Sequence, residues 1–119
     1  MQRTEFRGDI ATGDHENAQA ILRTWLSADE LTMKSHRSRW EVSYRDDTLE
    51  LYCYQAKPPA GTAYSFFVLE GDLHGSTADA AARLETLGRL CRERGLPFEI
   101  DYVEVDADGE PLGEELTIS

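Results

Sequence analysis

Between Thr4 and Ala11 the chain alternates, with Phe6, Gly8 and Ile10 on one side and Arg7 and Asp9 on the other. That is the period of a half-buried strand. Gly13-Asp14 ends it, and Asp14 can cap a helix. Ala18, Ile21, Leu22, Trp25 and Leu26 then form one apolar stripe, which predicts an amphipathic helix over 14–28. From Ala28 to Arg39 the period is lost and a solvated loop is expected. It holds a local basic cluster of Lys34, Arg37 and Arg39 with His36. An anion contact is the sharper reading of that cluster, but no Gly-rich turn accompanies it.

Alternation resumes in Trp40 to Arg45 and again in Thr48 to Tyr54, joined at Asp46-Asp47. Together these predict a β-hairpin. The prolines and glycine of Lys57 to Gly61 predict a loop. Ala63 to Leu73 is apolar at both alternating sets for most of its length, the mark of a central strand. Ser76 with Asp79 resembles a capping box, and Ala80, Leu84, Leu87 and Cys91 share a helical stripe that Gly95 and Pro97 stop. Strands at Phe98–Val105 and Leu116–Ile118 flank a turn around Asp108-Gly109.

The order strand, helix, strand, strand occurs twice. Gly8-Asp9-Ile10 echoes Gly71-Asp72-Leu73, and Trp40-Glu41-Val42-Ser43-Tyr44 echoes Phe98-Glu99-Ile100-Asp101-Tyr102. This predicts an α+β fold: a ferredoxin-like sandwich made by βαββ duplication, with an antiparallel sheet and two helices on one face. The chain reads as a single domain, 1–119, with pseudo-repeats at about 1–56 and 62–119. Phe6 and Ile10 are expected to meet Trp25 and Leu84 beneath the helices.

Parity assigns Phe67, Leu69, Gly71 and Leu73 to the helix side and Tyr64, Phe66, Val68, Glu70 and Asp72 to the other. Glu50, Tyr52 and Tyr54 join the second set from the hairpin, and Asp9, Glu41, Glu99 and Asp101 surround it. The uncovered face is thus expected to carry an aromatic centre in an acidic rim. A contiguous apolar patch of this kind marks an interface, with aromatics as anchors.

Charge narrows the partner. The 119 residues carry a net charge of -11, and residues 97–119 hold eight acids and no Lys or Arg. Asp106, Asp108, Glu110, Glu114 and Glu115 make that end a second acidic surface. Phosphates and anionic membranes are repelled, so no nucleic acid or membrane is expected as a partner, and stacking of bases on the sheet ranks last. The expected partners are a protein with a basic surface, or a second copy through the sheet face. Met1 to Ile10 lacks the apolar run of a secretory signal, so the cytoplasm is the expected location. Cys53 and Cys91 lie on apolar faces with no ligand spacing and read as buried inert thiols.

No catalytic constellation, cofactor motif or metal pattern stands out. Glu104, Asp106, Asp108, Gly109 and Glu115 fall at calcium-loop spacing, but Pro111 and the strand-like flanks favour an Asp-Gly hairpin. The leading expectation is therefore a non-enzymatic acidic interaction protein that binds and inhibits a basic partner. Immunity proteins and antitoxins do this to nucleases, an analogy of size and charge. The alternative is a dimeric ferredoxin-like domain enclosing a small-molecule pocket, as sensor or enzyme. Tyr52, Tyr54, Tyr64 and Trp40 would line that pocket, with Arg7 or Arg45 orienting an anion.

Overall fold

A computed structural model describes residues 2–56 and 65–119. Its elements in chain order are β1 (Arg3–Ile10), α1 (His15–Leu26), β2 (Lys34–His36), β3 (Arg39–Arg45), β4 (Leu49–Ala56), β5 (Phe66–His74), α2 (Thr77–Glu93), β6 (Phe98–Val105) and β7 (Leu116–Ile118). The strands form one open antiparallel sheet in the order β2-β3-β4-β5-β1-β6-β7. The fold is α+β, and β5 is the middle strand of the seven.

Local chemistry sets the helix ends. The Asp14 carboxylate accepts from the Glu16 amide at 2.9 Å, which satisfies one of the free donors of the first turn. The Ser76 hydroxyl does the same for the Asp79 amide at 3.1 Å. α1 stops at Leu26, two residues before the predicted end, because Ser27 turns left-handed and the Ala28 amide reaches back to the Arg23 carbonyl. α2 ends in the same way, with Gly95 left-handed and the Leu96 amide on the Cys91 carbonyl.

Both helices lie on one face. Trp25 of α1 meets Phe6 edge-on, with ring centroids 6.5 Å apart, and donates its indole N–H to the Arg83 carbonyl of α2 at 2.8 Å. Gly88 of α2 lies against the Phe98 ring. The alternate positions Phe6, Ile10, Phe67, Leu69, Leu73, Ile100 and Cys53 are buried beneath them, as the alternation predicts.

Gly8 and Gly71 belong to this same inner set. A side chain at Gly71 would strike the Glu50 carbonyl oxygen, and one at Gly8 would strike the Glu99 carbonyl oxygen. Phe6 lies in register with Gly71 and fills the space the missing side chain leaves. The echo between Gly8-Asp9-Ile10 and Gly71-Asp72-Leu73 thus has a packing reason at both glycines.

One expectation is corrected. Residues 34–39 form a short hairpin, not a solvated loop. β2 pairs with β3 through Lys34–Glu41, Ser35–Trp40 and His36–Arg39, and Arg37 and Ser38 make the turn with φ of 52° and 65°. All three residues of β2 are exposed, so no apolar alternation announces it. The other echo, Trp40–Tyr44 with Phe98–Tyr102, falls on β3 and β6, which occupy different places in the strand order. The predicted loop at 57–61 and the start of the predicted central strand lie outside the described residues. Among the described residues, no helix is long and apolar enough to cross a membrane.

Candidate functional site

The helices leave one face of the sheet uncovered. The strand registers place its side chains in rows. One row runs Lys34, Glu41, Tyr54, Val68, Asp9 and Glu99 across β2, β3, β4, β5, β1 and β6. The next runs Ser43, Tyr52, Glu70, Arg7, Asp101 and Thr117 from β3 to β7. The first row has Tyr54 and Val68 near its middle and Asp9 and Glu99 beyond them, whereas the second has Tyr52 beside Glu70 and Arg7, with Asp101 on β6.

Between these rows lies an open groove of about 320 Å³. Tyr54, Phe66 and Val68 supply its apolar surface, and Asp9, Glu99 and Asp101 stand along one side with Arg7. Val68 is 7 % exposed although it lies on the uncovered face, between its register neighbours Tyr54 and Asp9. Phe66 is half-buried. Asp9 and Glu99 are directly opposite each other, both exposed, an arrangement that costs stability by like-charge repulsion. Among the described residues no ion pair reaches Asp9, Glu99 or Asp101, and Asp101 instead accepts from the Thr117 hydroxyl at 2.6 Å. The groove therefore offers an apolar floor and unpaired negative charge to the same ligand. That suits a cation on an apolar stem, such as Arg or Lys.

The opposite side of the face is organised differently. The Tyr52 hydroxyl donates to the Glu41 carboxylate at 2.6 Å and accepts from the Arg39 guanidinium at 3.1 Å. Arg39 also lies over the Tyr54 ring, 4.6 Å from its centroid, and the Tyr52 and Tyr54 rings are 5.0 Å apart. The hydrogen bond to Glu41 and burial raise the Tyr52 pKa above its ordinary value, since both disfavour the phenolate. Arg45 pairs with Glu50 at 2.7 Å.

The aromatic and acidic residues expected on this face, Tyr52, Tyr54, Phe66, Val68, Glu50, Glu70 and Asp72, do share it. Tyr64 lies outside the described residues. Arg7 and Arg45, expected beside the tyrosines to orient an anion, share this face, and Arg3 and Arg39, not expected there, join them; Arg3 lies 3.7 Å from Glu5 and 3.9 Å from Asp72.

Trp40 cannot line a pocket with Tyr52 and Tyr54, which corrects the alternative site. It lies on the helix side of β3, where its indole stacks on His15 of α1 at 3.6 Å with 3° between the planes. The acidic residues after β6 are not gathered into one centre. Asp106 is spent on its own turn, accepting from the Asp108 amide at 2.9 Å and the Glu110 amide at 3.0 Å. Asp108, Glu110, Glu114 and Glu115 are exposed around it. Among the described residues, no three of His, Cys, Asp and Glu are grouped closely enough to hold a metal. No protein-family model, curated protein or solved structure compared with the chain matches it.

Proposed function

We propose that this chain is an acidic protein-interaction domain that docks a partner's basic surface on the uncovered face of its sheet. The observation that carries this reading is the groove beside Asp9 and Glu99. Two carboxylates are held opposite each other with no ion pair among the described residues, next to half-buried aromatic surface. A basic partner relieves that repulsion and covers the apolar floor at once. Inhibition of the partner, by analogy with immunity proteins and antitoxins, follows if the covered basic surface is the one the partner uses. A cytoplasmic setting belongs to the same reading.

The fold behind this reading is a ferredoxin-like sandwich. Support comes from the four strands β4-β5-β1-β6, in which β4 runs parallel to β1 and β6 parallel to β5, each linked to its parallel mate across a helix. The β2–β3 hairpin and β7 then extend the two edges. In a duplicated fold, β1-α1-β4 answers β5-α2-β6, so β4 takes the place that the residue echo gave to β3.

The test is titration of a fluorescent arginine-rich peptide containing one tryptophan. Binding is expected to weaken about tenfold or more in Asp9→Ala/Glu99→Ala and in Phe66→Glu, and to weaken with added salt. Affinity that ignores both the substitutions and the salt removes the reading. The groove volume also admits a small organic cation. Thermal shifts with small amines but none with the peptide would favour that second reading.

A further inference from the structure

The uncovered face already holds one arginine by a ring and a carboxylate. The Arg39 guanidinium lies 4.6 Å from the centroid of the Tyr54 ring and 3.8 Å from the Glu41 carboxylate, and it donates to the Tyr52 hydroxyl at 3.1 Å. Across Tyr54, toward β5, β1 and β6, the groove presents the same two parts again. Tyr54 and Phe66 line it, and Asp9 and Glu99 stand beside them, directly opposite each other. Among the described residues no ion pair reaches either acid. Arg7 also lines the groove, but in its own row it stands between Glu70 and Asp101, which balance its charge. The excess negative charge of the groove is therefore the Asp9–Glu99 pair.

We infer that this groove is an arginine subsite, taking a guanidinium from the basic partner in preference to a lysine ammonium. Two features separate the cations. Opposed residues on neighbouring antiparallel strands have their Cβ atoms about 5 Å apart, so the two carboxylates form one short row of acceptors. A guanidinium carries its N–H donors in a planar fork and bonds both acids at once, whereas an ammonium is a compact point charge. The second feature is the apolar floor of Tyr54, Phe66 and Val68. A guanidinium is weakly hydrated and stacks on aromatic faces, so it enters such a floor at little cost, and a strongly hydrated ammonium does not. The inference rests on the docking reading above and names the side chain of the partner that enters the groove.

Three peptides of equal charge test it: the arginine-rich peptide, the same peptide with every arginine replaced by lysine, and the same peptide with every arginine replaced by symmetric dimethylarginine. Dimethylation keeps the charge but blocks bidentate hydrogen bonding. Fluorescence titration is expected to give a Kd about tenfold higher for the lysine and dimethylarginine peptides than for the arginine peptide. In Asp9→Asn/Glu99→Gln, which keeps the side-chain shapes, the three affinities are expected to converge. A lysine or dimethylarginine peptide that binds as tightly as the arginine peptide, with the dependence on Asp9 and Glu99 intact, overturns the arginine assignment and leaves the docking surface standing. A preference for arginine that survives in the double variant overturns its placement in the groove. Failure of all three peptides to bind the wild type removes the docking reading itself.

Discussion

Asp9 on β1 and Glu99 on β6 are directly opposed cross-strand neighbours, and both side chains stand exposed on the uncovered face. Like charges so placed weaken a sheet. Glu99→Gln is therefore expected to stabilise the isolated protein by about 0.5 kcal/mol in urea unfolding. The same substitution is expected to weaken binding of the arginine-rich peptide. A variant that is less stable than the parent would mean that Glu99 has a structural partner and is not held for binding.

Gly71 and Phe6 are in register, and the Phe6 ring lies where a Gly71 side chain would point. Gly71→Ala drives a methyl group against the Glu50 carbonyl oxygen, which belongs to a paired backbone and cannot move aside. A loss of about 2 kcal/mol is expected from such overpacking. Gly113 has open space around it, so Gly113→Ala serves as the control and should change little. Equal stability of the two variants in urea unfolding would refute the packing argument.

Asp46 organises the turn between β3 and β4. Burial pushes its carboxyl up, but this is outweighed by hydrogen bonds from the Thr48 amide, the Tyr44 hydroxyl, the Thr48 hydroxyl and the Leu49 amide, leaving a pKa of about 2 against an ordinary 3.8. A pKa lowered by folding stabilises the protein above the unfolded value. That contribution is fully present above about pH 4 and disappears as the pH falls through about 2. The carboxylate is partly exposed, so solvent screening reduces the contribution to about 1 kcal/mol. Asp46→Asn should remove this part of the acid sensitivity. Unfolding free energies of both proteins between pH 5 and 2 supply the check, and parallel curves would disprove the assignment.

Cys53 and Cys91 are both free and fully buried. Burial pushes the Cys53 thiol up to about 12 and the Cys91 thiol up to about 11, the latter against a small opposing effect of Arg92. Thiolate is the reactive form, so native protein is expected to resist an aromatic disulfide reagent at pH 8. Two thiols should react once the chain is unfolded in guanidinium. Rapid reaction of either thiol under native conditions would show that its strand or helix opens locally.

Much of the fold was legible because the signals are local. The period of two in Phe6, Gly8 and Ile10 and the 3.6-residue stripe through Ala18 to Leu26 each reflect one buried face, and the burial pattern follows them. Asp14 and Ser76 announce helix starts because a short polar side chain there satisfies amides that the helix cannot. β2 was silent because neither of its faces is buried, so no apolar alternation is needed to keep Lys34 to His36 in place.

What the sequence by itself determined is therefore which residues form the helices and the strands with a buried face and, through parity, which side of each of those strands is apolar. Only the tertiary structure decided who stands beside whom. Alternation says that Asp9, Glu99 and Tyr54 leave the core, but it carries no information about neighbours. Register does, and register comes from packing distant strands against each other and against the helices. That packing put Glu99 opposite Asp9 and Arg39 over Tyr54, and turned Trp40 to the helix side against His15. The acidic groove and the basic flank are products of strand order, which charged residues on an uncovered face do not encode.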